Sequence, residues 1–122
     1  MNKEQELNLL ASRLPYAKYN SSTECDGFLL EFQIKVGEWS AKTFPQSIDG
    51  SRIAHMFDEL QELQEKPNDA YEMADIFLLL LHHAHVHGID LEQAARIKFD
   101  ILQRREWGEP DARGVVKHIV IK

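Results

Sequence analysis

The sequence predicts an all-α fold, an antiparallel bundle of about five helices followed by a short extended tail. Two observations support this class. Apolar residues recur every three or four positions through most of the 122 residues, which is the spacing of helices that bury one face. Proline, glycine and short polar runs interrupt that spacing, and the connections are short enough to place consecutive helices side by side.

The N-terminal segment, residues 1–27, is predicted to form one short helix and a loop. A helix over residues 3–14 ends at Pro15, because proline cannot continue the helical hydrogen-bond pattern. The stretch that follows, "YAKYNSSTECDG", is polar and rich in turn-forming residues. We therefore place the main domain at residues 28–118 and the tail at residues 119–122.

The second and third predicted helices each carry an apolar stripe. In the second, about residues 28–44, Phe32, Val36 and Trp39 share one face, and a proline ends the segment. In the third, about residues 51–66, Met56, Leu60 and Leu63 share a face, and "PND" breaks the helix.

Local signals mark the ends of the fourth and fifth predicted helices. The fourth, about residues 69–87, is followed by Gly88, a residue suited to the left-handed conformation that ends many helices. Asp90 and Gln93 have the spacing of a capping box at the start of the fifth, about residues 91–106. Only "GVVKHIVIK" beyond it reads as extended chain.

Composition narrows the class of function. The net charge is −6 with histidines neutral, and lysines and arginines form no run, which disfavours a nucleic-acid polymer as partner. The single cysteine, Cys25, is compatible with a reducing compartment. The longest apolar run, "IFLLLL", is too short to span a bilayer. We therefore expect a soluble cytoplasmic protein that has no membrane partner.

Two pairs of carboxylates flank the apolar stripes of the third and fourth predicted helices. Glu59 and Glu62 are three residues apart, as are Glu72 and Asp75, so each pair lies on one side of its helix. The short "PND" connection folds the two helices antiparallel, which allows the four carboxylates to converge. A single such pair is more often a solvated helix surface, but two consecutive pairs favour a site.

Convergence of these carboxylates would require bound cations or protons. At about 6 Å and an effective dielectric constant of about 20, each pair of charges repels by about 3 kcal/mol. The sum over four carboxylates would exceed the stability of a typical domain. Oxygen ligands suit Mg²⁺ or Mn²⁺, and sites with two or three such ions are typical of displacement at phosphorus.

The sequence resembles the MazG-like all-α nucleoside triphosphate pyrophosphohydrolases, which carry an ExxE…ExxD signature. "ELQE" and "EMAD" supply that signature, and "EWSAKTFP", "HMFDELQEL", "EMADIFLLLLHHAHVHGIDLEQA" and "KFDILQRREWGEP" extend it. These segments resemble the dATP/dGTP diphosphohydrolase branch, which includes the MazZ-type enzymes of phages that replace adenine by diaminopurine. Within the resemblance, His82, His83 and Leu102 depart from the residues usual in relatives.

The resemblance implies hydrolysis of a purine deoxynucleoside triphosphate to the monophosphate and pyrophosphate, with dGTP favoured over dATP. Two or three Mg²⁺ or Mn²⁺ ions would be held by Glu59, Glu62, Glu72 and Asp75, and Glu59 or Glu62 would act as the catalytic base. It also implies a homodimer or a dimer of dimers, in which a second copy completes the helical core. Dimerisation agrees with the sequence, because one hairpin cannot cover both its stripe and the "IFLLLL" run.

Four residues are candidates for substrate binding. Trp39 is expected either in the core of its helix or at the border of a base pocket. Lys98 and Arg105 are seven residues apart and face the same way, which suits a polyphosphate, although exposed cations on a helix are often only solvated. His82 is placed at the substrate by the resemblance.

Three alternatives remain open from the sequence. A pair of histidines four residues apart in "HHAHVH" could hold zinc, although two ligands make a weak site. The acidic edge could instead belong to a non-catalytic helical adaptor, or the enzyme could remove modified nucleoside triphosphates. Glu-x-x-His motifs of di-iron bundles and the GxxxxGK[ST] loop are absent from the sequence.

Overall fold

A computed structural model describes residues 28–120, and within this range the chain forms four helices. They are α1 (Phe28–Thr43), α2 (Asp49–Glu65), α3 (Ala70–Val86) and α4 (Leu91–Arg104). The described residues form no strand beyond an isolated antiparallel bridge between Trp107 and His118. The predicted all-α class is confirmed, with helix ends within two residues of those expected. The helix predicted over residues 3–14 lies outside the described range.

The ends of α3 follow the rules that the sequence suggested. Asp69 caps the start, where its side chain accepts hydrogen bonds from the backbone N–H groups of Tyr71 at 2.9 Å and Glu72 at 3.3 Å. At the other end Gly88 has φ of 64°, and Ile89 N–H donates to the carbonyl of Ala84 at 2.9 Å. Glycine adopts this left-handed conformation without steric cost, so the prediction for Gly88 is confirmed.

The described chain divides into two compact units, residues 28–92 and residues 93–120. In the first unit, α1 and α2 each pack against α3, and Leu81 of α3 is fully buried. Gly37 is buried on α1, and a Cβ atom at this position would lie 2.0 Å from Cγ of His85. The absence of a side chain at Gly37 therefore sets how closely α1 approaches α3.

A fully buried glutamine fixes the connection that follows α3. Gln33 of α1 donates from Nε2 to the carbonyl of Ile89 at 2.6 Å, and its Oε1 accepts from Leu91 N–H at 3.1 Å. Both ends of the buried amide are therefore satisfied, as burial of a polar group requires. This one side chain ties α1 to the turn between α3 and α4.

In the second unit, the tail returns to the residues that follow α4. Gly108 N–H donates to the carbonyl of Lys117 at 2.9 Å, and Ile119 N–H donates to that of Glu106 at 2.8 Å. Trp107 donates from Nε1 to the carbonyl of Leu102 at 3.2 Å. Residues 117–119 thus pair with residues 106–108 as extended chain, in agreement with the prediction for the described part of "GVVKHIVIK". Across the described range, no helix combines the length and apolar character that a bilayer span requires.

Candidate metal centre and adjoining cavity

The α2–α3 hairpin brings together three of the four carboxylates that the sequence singled out. Glu59 and Glu62 lie on α2 and Glu72 lies in the first turn of α3, and one oxygen from each lies within 4.8 Å of the others. We call these three residues the carboxylate group. Their proximity follows from the three-residue spacing on α2 and the short connection between the helices.

Asp75, the fourth predicted ligand, lies outside this group of closely spaced oxygens. It lies one helical turn beyond Glu72, is exposed, and lines a cavity together with Glu59. Its assignment as a metal ligand stays a prediction.

The carboxylate group includes buried oxygens without hydrogen bonds. Within the described residues, Oε2 of Glu59 and Oε2 of Glu72 are buried and have no hydrogen-bond partner. A hydrogen bond to the Glu59 side chain, followed by one to Glu62, raises the pKa of Glu72 to about 7. Three neighbouring carboxylates in this arrangement do not all ionise readily, which favours a shared proton among them.

These donors fit a divalent cation. A bound ion would replace the shared proton and give the buried Glu59 and Glu72 oxygens a partner. The group offers only carboxylate oxygen, the ligand that Mg²⁺ and Mn²⁺ prefer. The other oxygen of Glu59, Oε1, lies 3.1 Å from Nε2 of His55.

A cavity of about 940 Å³ adjoins the carboxylate group. Its wall combines aromatic, cationic and acidic side chains from α1, the loop after it, α2 and α3. Those that matter below are Phe32, Lys35, Trp39, Phe44, Ser47, Arg52, Glu59, Asp75 and His82. The volume falls within the usual range for small-molecule sites, and the acidic residues lie in the same wall as the aromatic ones.

Trp39 lies in the cavity wall and not in the core. It is 59% exposed and makes an edge-to-face contact with Phe44, with ring centroids 5.5 Å apart. An exposed indole in a cavity can stack against a planar ligand. Trp39 therefore lies at a cavity and not in the core, and its role in binding a base stays a prediction.

His82 also faces the cavity, but from a buried position. Its side chain belongs to the last turns of α3, and the residue is 5% exposed. Burial, followed by the positive charge of Arg52, lowers the pKa of His82. The lowered pKa favours the neutral imidazole, which can exchange hydrogen bonds with a ligand without adding charge.

The sequence did not identify Arg52, the most deeply buried charged group of the wall, at 4% exposure. Its Nε donates to Nδ1 of His83 at 3.1 Å, and one terminal nitrogen donates to Oγ of Ser47 at 2.9 Å. The other terminal nitrogen forms a close ion pair with Asp49. We call Arg52, Ser47, Asp49 and His83 the arginine cluster. The sequence contains one signal for this cluster: Asp49 and Arg52 are three residues apart, which places them on one side of a helix.

The two histidines considered for zinc are His83 and His87. His83 is a member of the arginine cluster, and His87 lies next to it. Atoms of His83, His87 and Asp49 lie within 4.8 Å of one another, and His87 Nε2 lies 2.9 Å from Oδ1 of Asp49. The tertiary structure thus adds a carboxylate to the pair. The guanidinium of Arg52, however, already contacts both His83 and Asp49.

Lys98 and Arg105 belong to the second compact unit. Lys98 lies on α4 and Arg105 directly follows that helix. Their part in substrate binding stays a prediction.

Comparison with known proteins gives consistent results. A model of the dATP/dGTP pyrophosphohydrolase family matches residues 32–122. The chain is 32% identical over 91 residues to a dATP/dGTP diphosphohydrolase of Cyanophage S-2L, covering 73% of this chain and 86% of that protein. It is 34% identical over 95 residues to a dATP/dGTP diphosphohydrolase of Salmonella phage PMBT28, covering 77% of this chain but only 32% of the longer relative.

A solved structure shares both fold and sequence with the chain. It is the Cyanophage S-2L MazG-like pyrophosphohydrolase bound to dGDP and three catalytic Mn²⁺ ions per active site. The TM-score is 0.67 at 30% identity, and the alignment covers 77% of this chain and 99% of the other. The resemblance and the MazG-like fold expected from the sequence are confirmed.

Proposed function

Because the chain belongs to the dATP/dGTP pyrophosphohydrolase family, we propose that it hydrolyses purine deoxynucleoside triphosphates, dGTP before dATP, to the monophosphate and pyrophosphate. The observation that carries this proposal is the carboxylate group beside an aromatic cavity. Two buried oxygens without partners need a cation, and the cavity has room for a nucleotide. The similar cyanophage enzyme holds dGDP and three Mn²⁺ ions.

The proposed metal ligands are Glu59, Glu62, Glu72 and Asp75, which would hold two or three Mg²⁺ or Mn²⁺ ions. When bound, such ions neutralise a triphosphate and lower the pKa of a water molecule. Glu59 or Glu62 accepts the proton of the water that attacks the α-phosphorus in line with the departing pyrophosphate. Asp75 lies in the same cavity wall as Glu59 and so can reach a metal ion beside the substrate.

The nucleoside occupies the aromatic part of the cavity in this proposal. Trp39 and Phe44 form its edge-to-face wall, and the exposed indole stacks on the purine. The neutral His82 borders the same space. Lys98 and Arg105 are proposed to bind the β- and γ-phosphates, and Lys35 is a further cation in the cavity wall itself.

We also propose that the chain acts as a homodimer or a dimer of dimers. The α2–α3 hairpin leaves large apolar side chains exposed on both helices, among them Phe57, Leu60, Phe77 and Leu80. A second hairpin related by a two-fold axis would cover them and complete a four-helix core. Light scattering at micromolar concentration should give at least twice the 14.1 kDa chain mass, and a monomeric mass would contradict the proposal.

The activity is tested with a substrate screen. Purified protein is incubated with each of the eight common nucleoside triphosphates and with dUTP in Mg²⁺, in Mn²⁺ and in EDTA, and the products are separated. We expect dGMP and pyrophosphate from dGTP, a slower reaction with dATP, and no turnover in EDTA. Faster hydrolysis of dCTP or dUTP would contradict the purine assignment. Release of orthophosphate in place of pyrophosphate would contradict attack at the α-phosphorus.

The remaining alternative is removal of modified nucleoside triphosphates. It predicts that an oxidised or methylated purine triphosphate, added to the same screen, is hydrolysed faster than dGTP. The proposed preference for dGTP instead suits a phage that makes diaminopurine from a guanine nucleotide, because the reaction removes dGTP and supplies dGMP. The alternative of a non-catalytic adaptor is not retained, because the family and the named relatives are pyrophosphohydrolases.

A further inference from the structure

The proposed function leaves open which side chain distinguishes guanine from adenine. The following assignment rests on that function. We infer that Arg52 makes the distinction by donating two hydrogen bonds to O6 and N7 of guanine. The residue lines the cavity, is 4% exposed and is held by neighbours on three sides. It is a recognition group built into the wall and not a mobile surface cation.

The count of donors supports this role. A guanidinium has five N–H groups in a fixed plane. One on Nε is used by His83, one on a terminal nitrogen by Ser47, and one on the other terminal nitrogen by Asp49. One N–H on each terminal nitrogen therefore has no partner among the described residues. A buried cation that borders a cavity and keeps a donor on each terminal nitrogen without a partner among the described residues favours a ligand with two adjacent acceptors.

Guanine has that pair of acceptors and adenine does not. The edge of guanine that carries O6 and N7 offers two acceptors, and a bidentate contact with arginine is a common way to read it. The same edge of adenine offers N7 as acceptor and the 6-amino group as donor. A guanidinium is always protonated in proteins, so it cannot become an acceptor for that amino group. Adenine would leave one donor of Arg52 buried without a partner.

The position of Arg52 along α2 agrees with a base site. It precedes Glu59 by seven residues, which is about two helical turns on the same face and about 10 Å along the axis. A nucleotide whose phosphates lie at the carboxylate group can therefore extend its base towards Arg52. The aromatic residues Trp39 and Phe44 line the cavity that contains Arg52 and Glu59.

The arrangement of Asp49 and His83 is better explained by their contacts with Arg52 than by a zinc site. Arg52 donates to the same His83 nitrogen that lies 3.9 Å from Oδ1 of Asp49, and it pairs with Asp49 itself. A metal ion held by Asp49, His83 and His87 would have to lie beside this positive charge. Asp49 and His83 therefore hold the cation that the chain already supplies, and with Ser47 they fix the plane of its fork.

The inference is tested first on the unaltered enzyme with a substrate series in Mn²⁺. We measure kcat/KM for dGTP, for dITP, which keeps O6 and N7 but lacks the 2-amino group, for 7-deaza-dGTP, which lacks N7, and for dATP. We expect dITP within about 3-fold of dGTP, and 7-deaza-dGTP and dATP lower by about 10-fold or more. A value for dITP as low as that for dATP, or 7-deaza-dGTP equal to dGTP, would overturn the inference.

A pair of variants then assigns the selectivity to Arg52. Arg52→Lys keeps the charge but loses the fork, and Arg113→Lys makes the same exchange at an exposed arginine. We expect Arg52→Lys to lower kcat/KM for dGTP by about 10-fold or more and to change that for dATP by less than about 3-fold. An equal loss for both nucleotides would assign Arg52 to the triphosphate and overturn the inference.

Two controls keep these outcomes distinct. Circular dichroism compares folding of the two variants with the original protein, and the substrate series decides the question alone if Arg52→Lys does not fold. Absence of turnover for every nucleotide in the unaltered enzyme would refute the proposed function, whereas turnover without discrimination at O6 and N7 would refute only the role of Arg52.

Discussion

The carboxylate group and the arginine cluster lie on the same α2–α3 hairpin but treat charge in opposite ways. The carboxylate group places Glu59, Glu62 and Glu72 together and leaves two of their oxygens buried without partners. The arginine cluster surrounds Arg52 with a carboxylate, a hydroxyl and an imidazole nitrogen. One region gathers like charges, and the other surrounds a cation with groups that balance it.

This difference indicates what each region can bind. Like charges that repel without compensation favour binding of an ion from outside the chain, which is how we interpret the carboxylate group. A cation whose charge is already balanced gains little from a further anion but can still offer oriented N–H donors. The arginine cluster is therefore suited to a neutral ligand such as a base, while we propose that the carboxylate group binds the ions that attract the phosphates.

The largest expected effect is on catalysis at the carboxylate group. Glu59→Gln, Glu62→Gln and Asp75→Asn keep the shape of each side chain but remove a charged ligand. We expect each to lower kcat by about 100-fold or more at saturating Mg²⁺, the scale seen when a group that stabilises the transition state is removed.

The matched control is Asp58→Asn, an exposed acid on the same helix that lies outside the carboxylate group. It should retain activity close to that of the original protein. Near-normal turnover in any of the three test variants would remove that residue from the set of metal ligands.

A smaller effect, of opposite sign in the two regions, is expected on stability without metal. Glu72→Gln relieves repulsion and should raise Tm in EDTA. Arg52→Met removes three hydrogen bonds from a buried cation and should lower the free energy of unfolding by about 1 to 3 kcal/mol. Thermal denaturation followed by circular dichroism measures both.

Addition of Mn²⁺ provides the check on this contrast. It should raise Tm of the original protein and raise it less for Glu72→Gln, because that variant has lost a ligand. For Arg52→Met, the gain from Mn²⁺ should match that of the original protein. A lower Tm for Glu72→Gln in EDTA, or a higher free energy of unfolding for Arg52→Met, would show that the charge balance described for that region is wrong.

The smallest expected effect is a pH dependence that differs between the regions. The pKa of Glu72 is raised from 4.5 to about 7, so the folded protein holds this proton more tightly than the unfolded chain does. The contribution of Glu72 to stability therefore falls as pH rises from about 4.5 to about 7. Burial lowers the pKa of His82 and His83 below 6.5, so their contribution is lost as pH falls below 6.5.

In EDTA, the gain in Tm from Glu72→Gln should accordingly be larger at pH 8 than at pH 5. The variant itself should become more stable as pH rises from 5 to 6.5, since the histidines then dominate. A gain that is equal at both pH values would contradict the raised pKa of Glu72.

The sequence by itself determined the helices and their ends. Their apolar spacing, the break at "PND" and the glycine at position 88 are local signals, and a helix end depends on residues within a turn of it. The carboxylate pairs were also visible, because a three-residue spacing fixes a shared side of a helix before any packing occurs. The oxygen donors of these pairs were also the basis for predicting Mg²⁺ or Mn²⁺.

Only the tertiary structure decided how separate helices combine their side chains. It showed that three carboxylates converge closely while Asp75 lies apart in the cavity wall, and that Trp39 lines the cavity. It also joined Arg52 to His83, 31 residues away in sequence. The physical reason is that distances across helices depend on how closely the backbones pack, here set by residues such as Gly37, and no local pattern encodes that distance.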